Sequence, residues 1–242
     1  MAGGAVSVVF TILAPLLVLV LIGAGIVALQ RGRLTFATIV HAYTAIVLGV
    51  CIVLALVGGA FLLKSLLSSA ISRDFSYQTQ DYPFQPPNAP DLRTPSPTAA
   101  QRAETQARDD IATGITLLVV GVGLGVLHAF GKAAAARRDR EYAGLVQRGF
   151  DVVMLGIATV VGLVSLAMAL NDLLRRYVLT SADRDPYNVP HPGGALAYAI
   201  MFVPLWIYFA RRVWRALLGG EPAAPAAPLA PPESTAAGAA ES

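Results

Sequence analysis

Few side chains in this sequence are suited to chemistry. Its imidazoles are His41, His128 and His191, and its one thiol is Cys51. On helical spans, His41 and His128 would both fall near the same membrane face, where two imidazoles are a ligand set that haem iron accepts. Nothing in their spacing demands a cofactor, and the simpler reading makes both interfacial or helix-contact residues. His191 lies in a Pro-Gly loop and reads as solvated. Histidines scattered over two sides of a membrane, without neighbouring carboxylates, do not make a metal site. Cys51 falls in the middle of an apolar run, which suits a small apolar filler better than a reactive thiolate, and it excludes an internal disulfide. Gly121, Gly123 and Gly125 lack the strand-turn-helix setting of a dinucleotide fingerprint. The Gly121–Gly125 spacing instead permits close helix approach. Asn171-Asp172 and Asp183-x-Asp185, with arginines nearby, read as solvated turn residues. The sequence assigns no catalytic, cofactor-binding or metal-binding residue.

The elements that carry these residues are apolar. Of 242 residues, 55% are hydrophobic and only 14% charged, with a mean hydropathy of +0.61. Soluble domains average about 25% charged residues. Such a chain is poorly suited to be a soluble enzyme, a disulfide scaffold or a nucleic-acid reader. A helix crosses a bilayer core with about 20 apolar residues. Five stretches reach that length: Val6 to Leu29, Leu34 to Leu63, Ile111 to Gly131, Val152 to Asn171 and Gly193 to Ala210. The expected fold is an all-α integral membrane bundle of five transmembrane helices, a lone helix followed by two helix pairs in parallel orientation. The first stretch has no basic n-region and no A-x-A site, so it reads as a retained span rather than a cleaved signal. The expected organisation is an N-terminal helix (1–33), a first helix pair (34–132) whose outer loop is Pro-rich over 72–97, a second pair (133–218) and a tail (219–242). With five prolines, three glutamates and no basic residue, that tail reads as disordered.

Orientation follows from the basic residues. Arg31 and Arg33 follow the first span, Lys132, Arg137, Arg138, Arg140 and Arg148 lie between the third and fourth, and Arg211, Arg212 and Arg215 follow the fifth. These ten fall on one side, which the positive-inside rule makes the cytoplasm; the opposite side carries Lys64, Arg73, Arg93, Arg102, Arg108, Arg175, Arg176 and Arg184, but with nine carboxylates in the same regions. The N-terminus is then outside and the C-terminus inside, in a bacterial inner membrane. The basic run reads as orientation signal and anionic-lipid contact; being short and pinned to the bilayer, it does not suggest nucleic-acid binding. Trp206, Tyr208, Phe209 and Trp214 are placed as an interfacial aromatic belt.

The outer loop holds Pro83, Pro86, Pro87, Pro90, Pro95 and Pro97. That density precludes helix and ladder and favours extended chain. We read it as a tether over the helix ends; the alternative is a docking strip for a protein partner, with Tyr77, Tyr82 and Phe84 as anchors. Ser96-Pro97 reads as an N-cap and first helical position, so the third helix is expected to start well outside the membrane. Glu104 and Arg108 are spaced to pair one turn apart.

Shifting His41–Leu67 by 107 positions lays it over Arg148–Leu174, with matches at Leu48, Gly49, Val53, Leu56, Val57, Ala60, Leu63, Leu66 and Leu67. With the return segment Pro204-Leu-Trp-Ile-Tyr-Phe, this pattern resembles a bacterial multi-span membrane family of unknown function with duplicated helix pairs. Members often carry a Trp and a His near the end of the return span; His128 stands there in the third span, and Tyr208 in the fifth. The resemblance covers residues 40 to 216 and implies a fold but no activity.

Charged groups buried in a membrane mark ion or proton pathways. No Asp, Glu, Lys or Arg lies near the middle of any span; Lys64, Asp151 and Asp172 stand at span ends, where they can reach headgroups or water. The expected function is a structural or accessory membrane component without catalytic activity, its partners being membrane lipids and a protein bound in the bilayer or at the Pro-rich loop. The alternative is a small-solute transporter or channel, with a polar cavity lined by Thr113, Thr116, Thr159, Ser165 or Asn171. A third reading, a haem-bearing redox protein, needs His41 and His128 to face one cavity.

Overall fold

The computed structural model describes residues 36–79, 97–136, 140–178 and 189–218. The first expected span, most of the Pro-rich strip with Tyr82 and Phe84, Asp183-x-Asp185 and the C-terminal tail lie outside the described residues. Within them 92% of positions are helical and none is in a strand. The elements are α1 (Phe36–Ala70), α2 (Arg73–Ser76), α3 (Ala99–Ala136), α4 (Arg140–Tyr177) and α5 (Gly193–Leu218). All but α2 are long and apolar enough to cross a membrane. Such runs form helices because a helix satisfies every interior backbone group within the segment, as a hydrocarbon surrounding requires. Pro204 lies inside α5, and the helix continues through it.

The described helices extend beyond the apolar stretches. α3 starts at Ala99, well before Ile111, and the residue that caps it is Thr98 rather than Ser96. The Thr98 Oγ1 accepts from the Gln101 N–H at 3.3 Å, and the Gln101 Oε1 accepts from the Thr98 N–H at 2.9 Å. This reciprocal capping box satisfies two donors that the helix start leaves free. Arg108 and Glu104 pair at 2.7 Å on the exposed first turns, as their spacing predicts.

Two antiparallel contacts dominate, α1 with α3 and α4 with α5, and α1 also packs on α4 and α5. The α1–α3 seam is made of small residues. A Cβ at Gly58 would stand 2.7 Å from the Gly114 carbonyl oxygen, and one at Gly121 would stand 2.6 Å from the Ala55 nitrogen and 2.8 Å from the Cys51 carbonyl oxygen. The backbones therefore touch, and Cys51 is buried in that seam as the filler its position suggested. Gly49 of α1 faces Phe150 and Met154 of α4, and Gly162 of α4 meets Phe202 of α5.

A central cluster of Val57, Ala60, Tyr198 and Phe202 gathers Leu117 of α3 and Val161 of α4 around it. The positions matched by the 107-residue shift have unlike surroundings. Ala60 is fully buried while Ala167 is exposed, and Gly49 is packed while Gly156 faces open space. α1 is thus the hub, and α3 leans chiefly on it, leaving Val119, Leu127 and Phe130 64%, 65% and 73% exposed. Apolar side chains this exposed along a membrane-length helix suit a lipid surrounding.

Candidate functional site

The polar residues collect at the two ends of the bundle. At the end carrying the loops after α1 and α4, the short α2 folds back over the helices and fastens both pairs. Arg73, Asp74, Phe75 and Ser76 form one turn, and Phe75 and Tyr77 are each 2% exposed. Asp74 is the anchor on one side. Its carboxylate accepts from the Arg176 Nη2 at 3.0 Å, and its backbone carbonyl accepts from the Arg176 Nη1 at 3.2 Å. The same Nη1 donates to the Pro190 carbonyl at 3.2 Å. The planar guanidinium thus ties α4, α2 and the entry to α5, a geometry an ammonium group could not reproduce. The His191 Nδ1 lies 2.7 Å from the Asp74 carbonyl oxygen, which can only accept, so the proton is on Nδ1.

Tyr77 is the anchor on the other side. Its hydroxyl donates to the Asp110 Oδ2 of α3 at 2.8 Å, and the Lys64 Nζ of α1 donates to the same oxygen at 2.7 Å. Lys64 also lies 4.4 Å from the Tyr77 ring centroid, a cation–π contact. Burial, then the hydrogen bond to Asp110 and the Asp110 charge, hold the Tyr77 phenol well above its ordinary range. The Ser76 hydroxyl donates to the Lys64 carbonyl at 3.1 Å, and Ser76 crowds against Gly193, where a side chain would collide with it.

At the opposite end Asp151 of α4 is 8% exposed and accepts from the Arg212 Nη2 of α5 at 3.1 Å and the Gln147 Nε2 at 2.7 Å. Gln147 in turn accepts from Lys132 of α3, whose ammonium lies 4.7 Å from the Phe150 ring centroid. Three helices meet through one carboxylate.

This arrangement revises several sequence expectations. Tyr77 is held inside the protein and is no exposed anchor for a partner. Residues 73–77 pack over the helix ends, while the strip from Pro83 to Pro95 lies outside the described residues. His191 is half-buried and bonded rather than solvated, because α2 folds onto it. Asp151 and Lys64 pair within the bundle instead of reaching headgroups or water. Phe209 turns inward, 6.0 Å from Phe150 ring to ring, while Tyr208 and Trp214 stay exposed as belt residues do.

His41 and His128 do not converge. His128 bonds the Leu124 carbonyl of its own helix through Nδ1 at 2.9 Å and meets Tyr43 at 6.1 Å between ring centroids. His41 is buried, 3% exposed. Two positions along a helix is a turn of about 200°, so His41 and Tyr43 point to opposite sides of α1. Nor do the expected cavity residues gather. Thr113, Thr116 and Asn171 are exposed, and the Thr116 and Thr159 hydroxyls donate to the Ala112 and Leu155 carbonyls of their own helices. Among the described residues no group of three or more His, Cys, Asp or Glu is placed to hold a metal.

Two shallow depressions flank the α1–α3 seam. One, about 430 Å³, is lined in part by Ser65, Ser69, Arg73, Glu104 and Arg108; the other, about 270 Å³ and apolar, lies over Cys51, Gly121 and Gly125. Comparison of the chain with protein-family models, with curated proteins and with solved structures finds no match.

Proposed function

We propose that this chain is a structural or accessory component of a bacterial inner membrane, without catalytic activity of its own. The observation that supports this reading is where its charges go. Lys64 with Asp110, Arg176 with Asp74, and Arg212 with Asp151 each join two different elements. Charges that carry substrate or ions line a cavity or pathway; these instead tie helices together at the bundle ends. The lipid-exposed face of α3 and the Pro-rich strip are the surfaces left for lipids and for a partner protein.

In this reading residues 1–33 supply a fifth span, the N-terminus is outside, and the clasped end of the bundle faces away from the cytoplasm. The parallel arrangement of two helix pairs, and kinship with bacterial multi-span proteins built from such pairs, belong to the same proposal.

Purification from native membranes in mild detergent, with mass spectrometry of co-eluting proteins, tests it. The expected result is a stoichiometric partner. Saturable solute flux through the pure protein in vesicles would overturn the reading in favour of a transporter or channel.

A further inference from the structure

The larger depression, at the clasped end of the α1–α3 seam, carries charges that the clasp does not use. Arg73 of α2 with Glu104 and Arg108 of α3 supply its charged part, and Leu62 and Leu66 of α1 with Ile111 of α3 line its apolar part. At about 430 Å³ it falls within the roughly 300–1,000 Å³ of small-molecule sites. Three observations indicate what it holds.

The first is charge. Two guanidiniums face one carboxylate, so the lining keeps one surplus positive charge. Glu104 does not saturate its partners. The Arg108 Nη2 donates to the Glu104 Oε1 at 2.7 Å, while the Arg73 Nη1 stands 3.8 Å from Oε2, too far for a hydrogen bond. A guanidinium has five N–H donors, and Arg73 and Arg108 are 62% and 77% exposed, which leaves donors of both accessible. The second is depth. Leu62 and Ile111 belong to the apolar stretches, whereas Arg73, Glu104 and Arg108 lie beyond them. At a rise of about 1.5 Å per residue, Ile111 and Glu104 are about 10 Å apart along α3, the scale of the step from hydrocarbon to headgroup. The third is continuity. Leu66 and Ile111 are 61% and 41% exposed, and Ile115, one turn deeper on the same face of α3, is 50% exposed. The apolar part of the depression therefore runs on into the lipid-facing surface of the bundle.

We propose that Arg73 and Arg108 form a binding site for the phosphodiester of one phospholipid, with an acyl chain running along Leu66, Ile111 and Ile115. The planar fork of a guanidinium matches two phosphate oxygens, and two such forks converge here from different elements. A phosphodiester carries one negative charge, which equals the surplus of the lining. Glu104 holds Arg108 in place and also limits affinity, because its carboxylate repels the phosphate. The bound lipid links α2 to α3 near the Tyr77–Asp110 hydrogen bond. The inference rests on the lipid partnership proposed above, and it stands whether or not a protein partner is found.

Native mass spectrometry of the full chain in detergent tests it, with dioctanoyl phosphatidylglycerol, dioctanoylglycerol and inorganic phosphate as separate probes. One phosphatidylglycerol per chain is expected, bound more tightly than either other probe. Arg73→Gln combined with Arg108→Gln is expected to weaken it about tenfold or more, with melting in lipid-free detergent showing that the fold is kept. Glu104→Gln removes the repelling charge and is expected to tighten binding. Equal binding of dioctanoylglycerol shows that the phosphate is not read, and equal binding of inorganic phosphate shows that the acyl chain is not; either overturns the proposal. Phosphatidylglycerol bound undiminished by the double variant overturns this site while leaving the general lipid partnership, and no binding by the wild type overturns both. Where the double variant unfolds, Glu104→Gln decides, and unchanged or weaker binding overturns the site.

Discussion

Asp74 and Arg176 are 102 positions apart in the chain and 3.0 Å apart in the fold. One belongs to a four-residue helix after α1, the other to the last turn of α4, and their pairing closes the end of the bundle. Because Arg176 also donates to two backbone carbonyls, the contact fixes position as well as charge. Removing the carboxylate with Asp74→Ala is expected to cost about 1–2 kcal/mol, between the values for exposed and buried pairs. Arg176→Lys is expected to lose most of the same stability despite keeping the charge. Thermal unfolding in detergent, with proteolysis of the 71–79 segment as a second readout, checks both.

Tyr77→Phe deletes one hydrogen bond to a carboxylate and is expected to cost about 1.5–3 kcal/mol. The same variant separates a pH effect. The folded phenol titrates above its ordinary value of 10.0, so its contribution is complete below about pH 10. Above that pH the unfolded chain releases the proton first, and stability falls as pH rises toward the folded value. In the wild type an alkaline limb of destabilisation is expected to begin near pH 10, and Tyr77→Phe should lose this component of it. An identical alkaline limb in the variant would assign the slope to other groups.

The α1–α3 seam separates glycines that the sequence cannot rank. Gly58→Ala and Gly121→Ala force a methyl against backbone and are expected to destabilise by about 1–3 kcal/mol. Gly123→Ala and Gly131→Ala meet nothing within 4 Å and are expected to be neutral or to gain up to about 1 kcal/mol from helix propensity. Parallel melting curves of the four variants read this contrast directly.

Asp151→Asn removes the charge that Arg212 pairs with, while an amide can still accept a hydrogen bond at that place. Asp151→Leu removes both and leaves Gln147 and Arg212 without their acceptor. The leucine variant is expected to lose about 2–4 kcal/mol and the asparagine variant about half of that. Unfolding in detergent compares the two, with loss of the α4–α5 contact visible as altered Phe150 and Phe209 environments by NMR.

The sequence alone determined that the chain forms long helices, where the apolar stretches lie, and that Glu104 pairs with Arg108. These follow from composition, from the absence of breakers and from i,i+4 spacing, all local properties. It also marked Gly121 and Gly125 as a packing face and Cys51 as filler, because small residues in an apolar helix have few other uses. The Thr98–Gln101 capping box is legible in principle, since a Thr followed three residues later by Gln is its signature, but the neighbouring Ser96-Pro97 carries a competing start signal two residues earlier. The clasp was not legible. Asp74, Tyr77, Asp110, Arg176 and His191 lie in four separate segments, each of which reads locally as solvated loop or span end. Only folding brings α2 over the helix ends, where its single turn buries Phe75 and Tyr77 and makes Asp74 the shared acceptor for a guanidinium and an imidazole. The separation of His41 from His128 was also a tertiary decision: both stand near the same end of the bundle, but which face of α1 meets α3 and which meets α4 depends on the glycine seam. Side-chain type and spacing set what each helix can bury, and the packing of one helix on three neighbours set which polar groups met.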